Sequence, residues 1–252
     1  MIALRWIAAA VFVACIPVAL LLTNVRIAGT WDRVYGYSYA QYDVPAVTGI
    51  DRSELDRASR VISRYFQSGR SGELLDIRVQ QGERTIPLFN EREILHMADV
   101  KDLFQAFFRL HDFALMYIVV YVAAIYLWSR ERSMRILARQ AVWAGVGTVA
   151  VLGAVAIAML IGFDELFYRF HVLSFSNDFW QLDPATDRLV RMFPQGFWFD
   201  VSLAVGAFTV MQGGLVALAG VGYIVWLDRR AEQRRLQRRR RLAAAEVTAT
   251  LP

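Results

Sequence analysis

Apolar positions in this chain gather into long unbroken runs, and four of them dominate: Trp6 to Val25, Leu110 to Trp128, Ala141 to Phe163 and Ser202 to Leu227. A helix needs about 20 apolar residues to cross the hydrocarbon core of a bilayer, so each run is a candidate crossing. The chain between the first two runs has shorter patterns. Asp51-Arg52-Ser53-Glu54 has the form of a capping box, and Leu55, Ala58, Ile62 and Tyr65 follow at helical spacing. That spacing predicts a helix to about Phe66, stopped near Gly69. Leu75 to Val79 and Thr85 to Phe89 flank Gln80-Gln81-Gly82-Glu83 and predict a hairpin. Tyr35, Tyr37, Tyr39 and Tyr42 fit either a strand or an interfacial aromatic patch. Asn90 and Glu93 form a second capping signature, and the helix they open leads into the second apolar run. Asp183-Pro184 reads as a helix start or a turn.

The expected fold class is a polytopic α-helical membrane protein: four transmembrane helices with a small α+β extracytoplasmic cap. The expected division is transmembrane helix 1 at 1–25, the cap at 26–109 and helix 2 at 110–128. A cytoplasmic loop at 129–140 leads to helix 3 at 141–163. An extracytoplasmic loop at 164–201, helix 4 at 202–227 and a basic cytoplasmic tail at 228–252 complete it. The first run is long for a signal peptide and lacks a small-residue cleavage site, which predicts a retained helix. Gly145, Gly147, Gly153, Gly206, Gly213, Gly214, Gly220 and Gly222 suggest close approach of the last two helices. Gln212, in mid-run, is expected to hydrogen-bond to a neighbouring helix.

Composition agrees, with 56% hydrophobic residues and a formal net charge of +5. The charge is topogenic. Arg5, then Arg130, Arg132, Arg135 and Arg139, then the arginines from Arg229 onward flank the runs on what the positive-inside rule makes the cytoplasmic side. Both chain ends are then cytoplasmic. Trp6, Trp128, Trp143 and Trp226 fall at the inner ends and Trp31, Trp180 and Trp198 near the outer ends, as interfacial belts do. The basic tail can grip anionic lipid. It abuts a membrane helix and has no interleaved aromatics, so no nucleic-acid partner is expected. The one cysteine, Cys15, lies inside the first run and allows no intramolecular disulfide.

Candidate chemistry lies in two polar, aromatic stretches. One is His96-Met97-Ala98-Asp99-Val100-Lys101; the other runs from Phe170-His171 through Asn177, Asp178 and Trp180 to Pro194. The topology puts both on the outer face. Asp99, Asn177 and Asp178 are expected to orient the imidazoles and fix their tautomers. Lys101 is the only lysine. A compact ammonium suits a polar head group or an oxyanion. His111 reads as an interfacial anchor. No Ser-His-Asp elbow or Gly-rich phosphate loop is present, so chemistry would rest on general-base and oxyanion roles of the two imidazoles. No cofactor is expected, and the histidines lack the spacing of a zinc site.

These motifs, His96-Met97-x-Asp99-Val100-Lys101 with Phe170-His171 and Phe175-x-Asn177-Asp178-x-Trp180-x-Leu182-Asp183-Pro184, resemble those of a bacterial integral membrane family. That family includes the lipoprotein intramolecular transacylase, Lit. Thr48-Gly49-Ile50 with Glu54-Leu55 and the four-run layout fit it as well, over roughly residues 1 to 227. The resemblance implies a membrane acyltransferase that moves the sn-2 acyl chain of a diacylglyceryl lipoprotein onto the amine of its N-terminal cysteine. It implies His96 and His171 as the catalytic residues, with Asp99, Lys101, Asn177, Asp178 and Trp180 in support. The partner would be a diacylglyceryl lipoprotein or membrane lipid. The rival readings are a metal-dependent membrane lipid hydrolase or peptidase, and a non-catalytic lipid- or partner-binding membrane protein.

Overall fold

The computed structural model describes residues 2–70, 72–128 and 131–249. Among the described residues, four helices are long and apolar enough to cross a membrane. They are α1 (Ile2–Thr30), α5 (Glu91–Trp128), α6 (Glu131–Ser174) and α8 (Gln195–Ala249). The cap comprises α2 (Asp32–Gln41), α3 (Val44–Thr48), α4 (Arg52–Gln67), β1 (Arg78–Gln81), β2 (Arg84–Pro87) and α7 (Arg188–Met192).

The membrane helices overrun the apolar segments that define them. Helix α5 has 38 residues, about 57 Å at 1.5 Å per residue, against a hydrocarbon core of about 30 Å. Its first half, up to Arg109, carries most of its charges and therefore projects beyond the bilayer towards the cap. Helix α6 runs through a non-helical residue, Gly162 (φ −161°, ψ 64°), and continues to Ser174. The expected loop from residue 164 is thus helical for its first ten or so residues. Asp164 and Glu165 mark where the hydrocarbon ends, but neither breaks a helix. At the far end, the expected tail is a helical continuation of α8 as far as Ala249. The expected loop at 129–140 is helical from Glu131, and residues 129 and 130, with the side chains of Arg132 and Ser133, lie outside what is described.

Glycines let α6 and α8 touch. A side chain on Gly145 would collide with the Gly213 carbonyl and Ala217, and one on Gly220 with Val142 and the Ala138 carbonyl. One on Gly213 would meet Thr148, while Gly147, Gly153, Gly206, Gly214 and Gly222 have open space beside them and carry no such contact. Polar side chains tie α1 to its neighbours. Asn24 Nδ2 donates to Gln212 Oε1 (2.8 Å) and Thr209 Oγ1 (2.9 Å), so Gln212 has the interhelical partner expected of it. Cys15 packs on Ala19 and Ala114, against a neighbouring helix.

The cap has its own core, centred on Tyr39, Leu55, Ile62, Val79, Leu88, Met192 and Phe197. The tyrosine-rich stretch forms the helix α2 and not a strand: Tyr35 and Tyr39, one turn apart, face this core, while Tyr37 is exposed. The hairpin forms with a tighter turn than expected. Gln81 pairs with Arg84 across Gly82 and Glu83, and Gly82 supplies the positive φ (61°) that a two-residue turn requires. Helix α4 spans its predicted residues, but its capping box does not form. Asp51 makes no side-chain cap bond, and Glu54 turns instead to Arg57 (2.6 Å) and to the Gln80 backbone N–H (3.0 Å) of β1.

Candidate active site

The capping box at the start of α5 does form. Asn90 Oδ1 accepts from the Glu93 N–H (3.0 Å), and Glu93 Oε2 accepts from the Asn90 N–H (2.7 Å). Both residues then reach across to the second stretch. The other Glu93 oxygen accepts from the Leu189 N–H, and Asn90 Nδ2 donates to Asp187 Oδ1 (2.8 Å). Asp187 also accepts from the Asp183 N–H (2.8 Å), closing the Asp183-Pro184 segment into a turn. Burial of Glu93 pushes its carboxyl up, against the pull of its backbone N–H donors. Neither cross-link is visible in the sequence, since a capping signature names only its local partner.

This clamp sets the start of α5 beside the end of α6, and the two histidines meet. The ring centroids of His96 and His171 are 6.1 Å apart. Both side chains are buried, at 7% and 8% exposure. They lie beyond the apolar parts of α5 and α6, outside the membrane-spanning segments. Aromatic rings enclose them. Phe175 touches both, at 5.2 Å from His96 and 5.7 Å from His171. Phe167 (4.4 Å), Trp180 (5.1 Å) and Phe170 (5.3 Å) complete the wall around His171.

The two imidazoles differ in their partners. His171 Nδ1 lies 2.7 Å from the Phe167 carbonyl oxygen, one turn back on α6. A carbonyl oxygen only accepts, so Nδ1 carries the hydrogen and Nε2 keeps its lone pair. His96 has no such anchor, and its buried Nδ1 has no hydrogen-bond partner among the described residues. Burial, reinforced by the neighbouring His171, pulls His96 down to about 4. Burial lowers His171 too, partly offset by the Phe167 carbonyl. Each imidazole is therefore held neutral at neutral pH: His171 presents an unprotonated Nε2, and the neighbouring His96 keeps an Nδ1 without a partner among the described residues.

The supporting residues are arranged differently from the sequence expectation. The acidic neighbours do not orient the imidazoles. Asp99 Oδ2 accepts from Asn177 Nδ2 (2.9 Å), which stitches the second stretch to α5. Asp178 accepts from Gln181 Nε2 (3.1 Å) and, through its carbonyl, from Arg92. The orienting acceptor is a backbone carbonyl, which leaves no signal in a sequence. Lys101 is buried, and its ammonium is committed within the cap: to Ser68 Oγ (2.7 Å), Glu73 Oε2 (2.8 Å) and the face of Tyr65 (4.2 Å to the ring centre). A head group or oxyanion would have to displace these partners. Trp180 packs on His171 and Tyr168, and Trp198 against the cap core, so these two tryptophans serve the site and the cap in addition to any interface. His111, expected as an interfacial anchor, is buried against a neighbouring helix. Its Nε2 lies 2.9 Å from Thr23 Oγ1 and its Nδ1 3.3 Å from Asp112 Oδ1, which joins α5 to α1. Among the described residues, no three His, Cys, Asp or Glu side chains gather as a metal site.

Comparison with known proteins gives one consistent picture. Residues 10–198 match the family model described as lipoprotein intramolecular transacylase Lit, a span that contains both histidines. The chain is 26% identical over 220 residues to an uncharacterized protein of Aquifex aeolicus (strain VF5), covering 86% of this chain and 95% of that one. Its fold matches the in meso structure of the membrane integral lipoprotein intramolecular transacylase Lit from Bacillus cereus. The TM-score is 0.73 at 17% identity, over 91% of this chain and 99% of that one. A structure of the same Bacillus cereus protein with a histidine-to-arginine mutation matches with a TM-score of 0.67 at 18% identity, over 91% and 95% of the two chains.

Proposed function

Because this chain belongs to the Lit family of lipoprotein intramolecular transacylases, we propose that it moves the sn-2 acyl chain of a diacylglyceryl lipoprotein onto the α-amine of that lipoprotein's N-terminal cysteine, using His96 and His171. The observation that carries the reading is the convergence of the two histidines. They stand 75 positions apart in the chain, sit inside the matched segment, and have rings 6.1 Å apart in a buried aromatic pocket.

The chemistry needs no nucleophile from the protein. The substrate amine attacks the ester carbonyl carbon, and a tetrahedral oxyanion forms. The bond to the sn-2 oxygen then breaks, so the acyl chain leaves on nitrogen and the glyceryl hydroxyl is freed. His171, with Nε2 unprotonated, takes the proton from the amine and returns one to the departing sn-2 oxygen. His96 donates to the oxyanion through a ring N–H that has no other partner. Amine and ester belong to one molecule, so the protein's positioning contribution is to fix the substrate's internal rotations in attack geometry. The cap and the two histidines face the outside of a bacterial cell membrane and both chain ends face the cytoplasm, in keeping with the arginine distribution. Labelling of introduced cysteines at Gln67 and Asp187 from outside, and at Ser133 from inside, tests that orientation.

The direct test is conversion of a synthetic diacylglyceryl lipopeptide by the purified protein in vesicles. Product and substrate are isomers, so fragmentation in tandem mass spectrometry, and not intact mass, reveals the acyl group on nitrogen. The reading predicts that N-acyl, lyso-glyceryl product accumulates. Release of free fatty acid or cleaved peptide, abolished by a chelator, would favour the metal-dependent hydrolase or peptidase instead. No change in the substrate would favour a binding protein.

A further inference from the structure

Beyond the Gly162 break, α6 is amphipathic in a way the catalytic reading does not use. Leu166, Phe170 and Leu173 recur at i, i+4 and i+7, one face of a helix, with exposures of 37%, 44% and 87%. Glu165 and Arg169, paired and exposed, lie on another side. A third side carries His171, buried. Residues 141–161 already supply the roughly 20 residues that a crossing requires, and three charges (Asp164, Glu165, Arg169) bar the next turns from the hydrocarbon. A segment of this kind lies in the membrane interface, with its apolar stripe at acyl-chain level.

The stripe is not isolated from the chemistry. Phe170 is half-exposed in the stripe, and its ring also touches His171 (5.3 Å) and Phe175 (6.5 Å). Phe175 in turn touches His96 (5.2 Å). A continuous apolar surface therefore leads from lipid level to both imidazoles. Resting on the transacylase reading, we propose that Leu166, Phe170 and Leu173 form the seat of the migrating acyl chain. Phe170 is the point where the chain passes from lipid to the histidines. The ligand class is a long-chain fatty acyl ester, and the seat sets both the affinity for it and the preference for chain length.

Two measurements test this. A diacylglyceryl lipopeptide with a diazirine on its sn-2 chain is photolysed with the full-length protein in phosphatidylcholine vesicles, and adducts are mapped by mass spectrometry. Adducts on residues 163–173 support the seat; adducts confined to α1 or α8 overturn it. Separately, Leu166→Asn and Leu173→Asn are each expected to raise KM for a sixteen-carbon sn-2 ester about tenfold, the scale of removing two methylene contacts. Turnover at saturation and KM for a four-carbon ester should stay unchanged. An unchanged KM for both esters overturns the seat while leaving the transacylase reading intact. Adducts on 163–173 without any acyl transfer would do the reverse.

Discussion

Two buried histidine environments sit in this protein, and they are treated oppositely. His111 is 6% exposed and has a partner near each ring nitrogen: Thr23 at 2.9 Å and Asp112 at 3.3 Å. His96 is 7% exposed, and its Nδ1 has no partner among the described residues. A buried polar group left without a hydrogen bond costs about 1–3 kcal/mol. The fold meets that need at His111 with residues of two helices. At His96 it surrounds the ring with Phe175 and a second imidazole instead. Equal burial thus separates a histidine that joins helices from one whose Nδ1 has no partner among the described residues. Burial alone is a poor marker of function; burial without satisfaction is a better one.

The largest effect that would break this contrast is in turnover. His96→Ala and His171→Ala should each lower the rate of acyl transfer by about 10²–10⁴-fold, the scale of general acid–base catalysis. The double substitution should be little worse than either single one, because base and oxyanion donor act on the same tetrahedral transition state as a unit. Fully multiplicative losses in single-turnover kinetics would mean that the imidazoles act independently.

The pH profile sharpens the roles. A general base works when unprotonated, and burial holds His171 below its ordinary value. Activity should therefore persist as pH falls through about 6.5, where a free imidazole titrates, and decline only below it. A half-maximal rate at or above that pH would show that the base is not this buried ring.

Stability effects come next. Lys101→Ala removes a buried ammonium from Ser68, Glu73 and Tyr65. It should destabilise the cap by about 1–3 kcal/mol, the range for a charged buried hydrogen bond. Turnover per folded molecule should stay near wild type, and loss of turnover without loss of thermal stability would return Lys101 to the chemistry. His111→Ala should likewise lower thermal stability and leave acyl transfer within about twofold, since no reacting group lies there. The smallest effect concerns Glu73. Its hydrogen bond from Lys101, then that from Ser68, holds the carboxyl below its ordinary value. A depressed carboxyl stabilises the fold above its unfolded pKa, and that contribution fades as pH falls through the folded value. Glu73→Gln should flatten the loss of cap stability between about pH 5 and pH 3, seen in acid unfolding curves.

Much of this architecture was legible in the residues. Four apolar runs are a strong signal because lipid demands length and continuity. Asn90 and Glu93 announced the helix that carries His96, and the topology put both histidines on one surface. What escaped has physical causes. Asp164 and Glu165 end an apolar run without ending a helix, so the extension of α6 that holds His171 read as loop. The acidic neighbours read as orienting groups, but Asp99 went to Asn177 and the orienting acceptor is the Phe167 carbonyl. Lys101 read as a contact for substrate, because a sequence shows a charge and not the Glu73 carboxylate 28 residues away that meets it. Glu93 read as a cap, yet its second oxygen also holds Leu189.

The measurement that bears most directly on the contrast compares four strains of one bacterial host that makes diacylglyceryl lipoprotein but no lyso-form. Each carries the wild-type chain, His96→Ala, His171→Ala or His111→Ala at matched membrane abundance, and lipoprotein N-termini are read by tandem mass spectrometry. The account predicts N-acyl, lyso-glyceryl cysteine in the wild-type and His111→Ala strains and none in the other two. Lyso-form at wild-type level in the His96→Ala or His171→Ala strain, or its loss in His111→Ala alone, would contradict it.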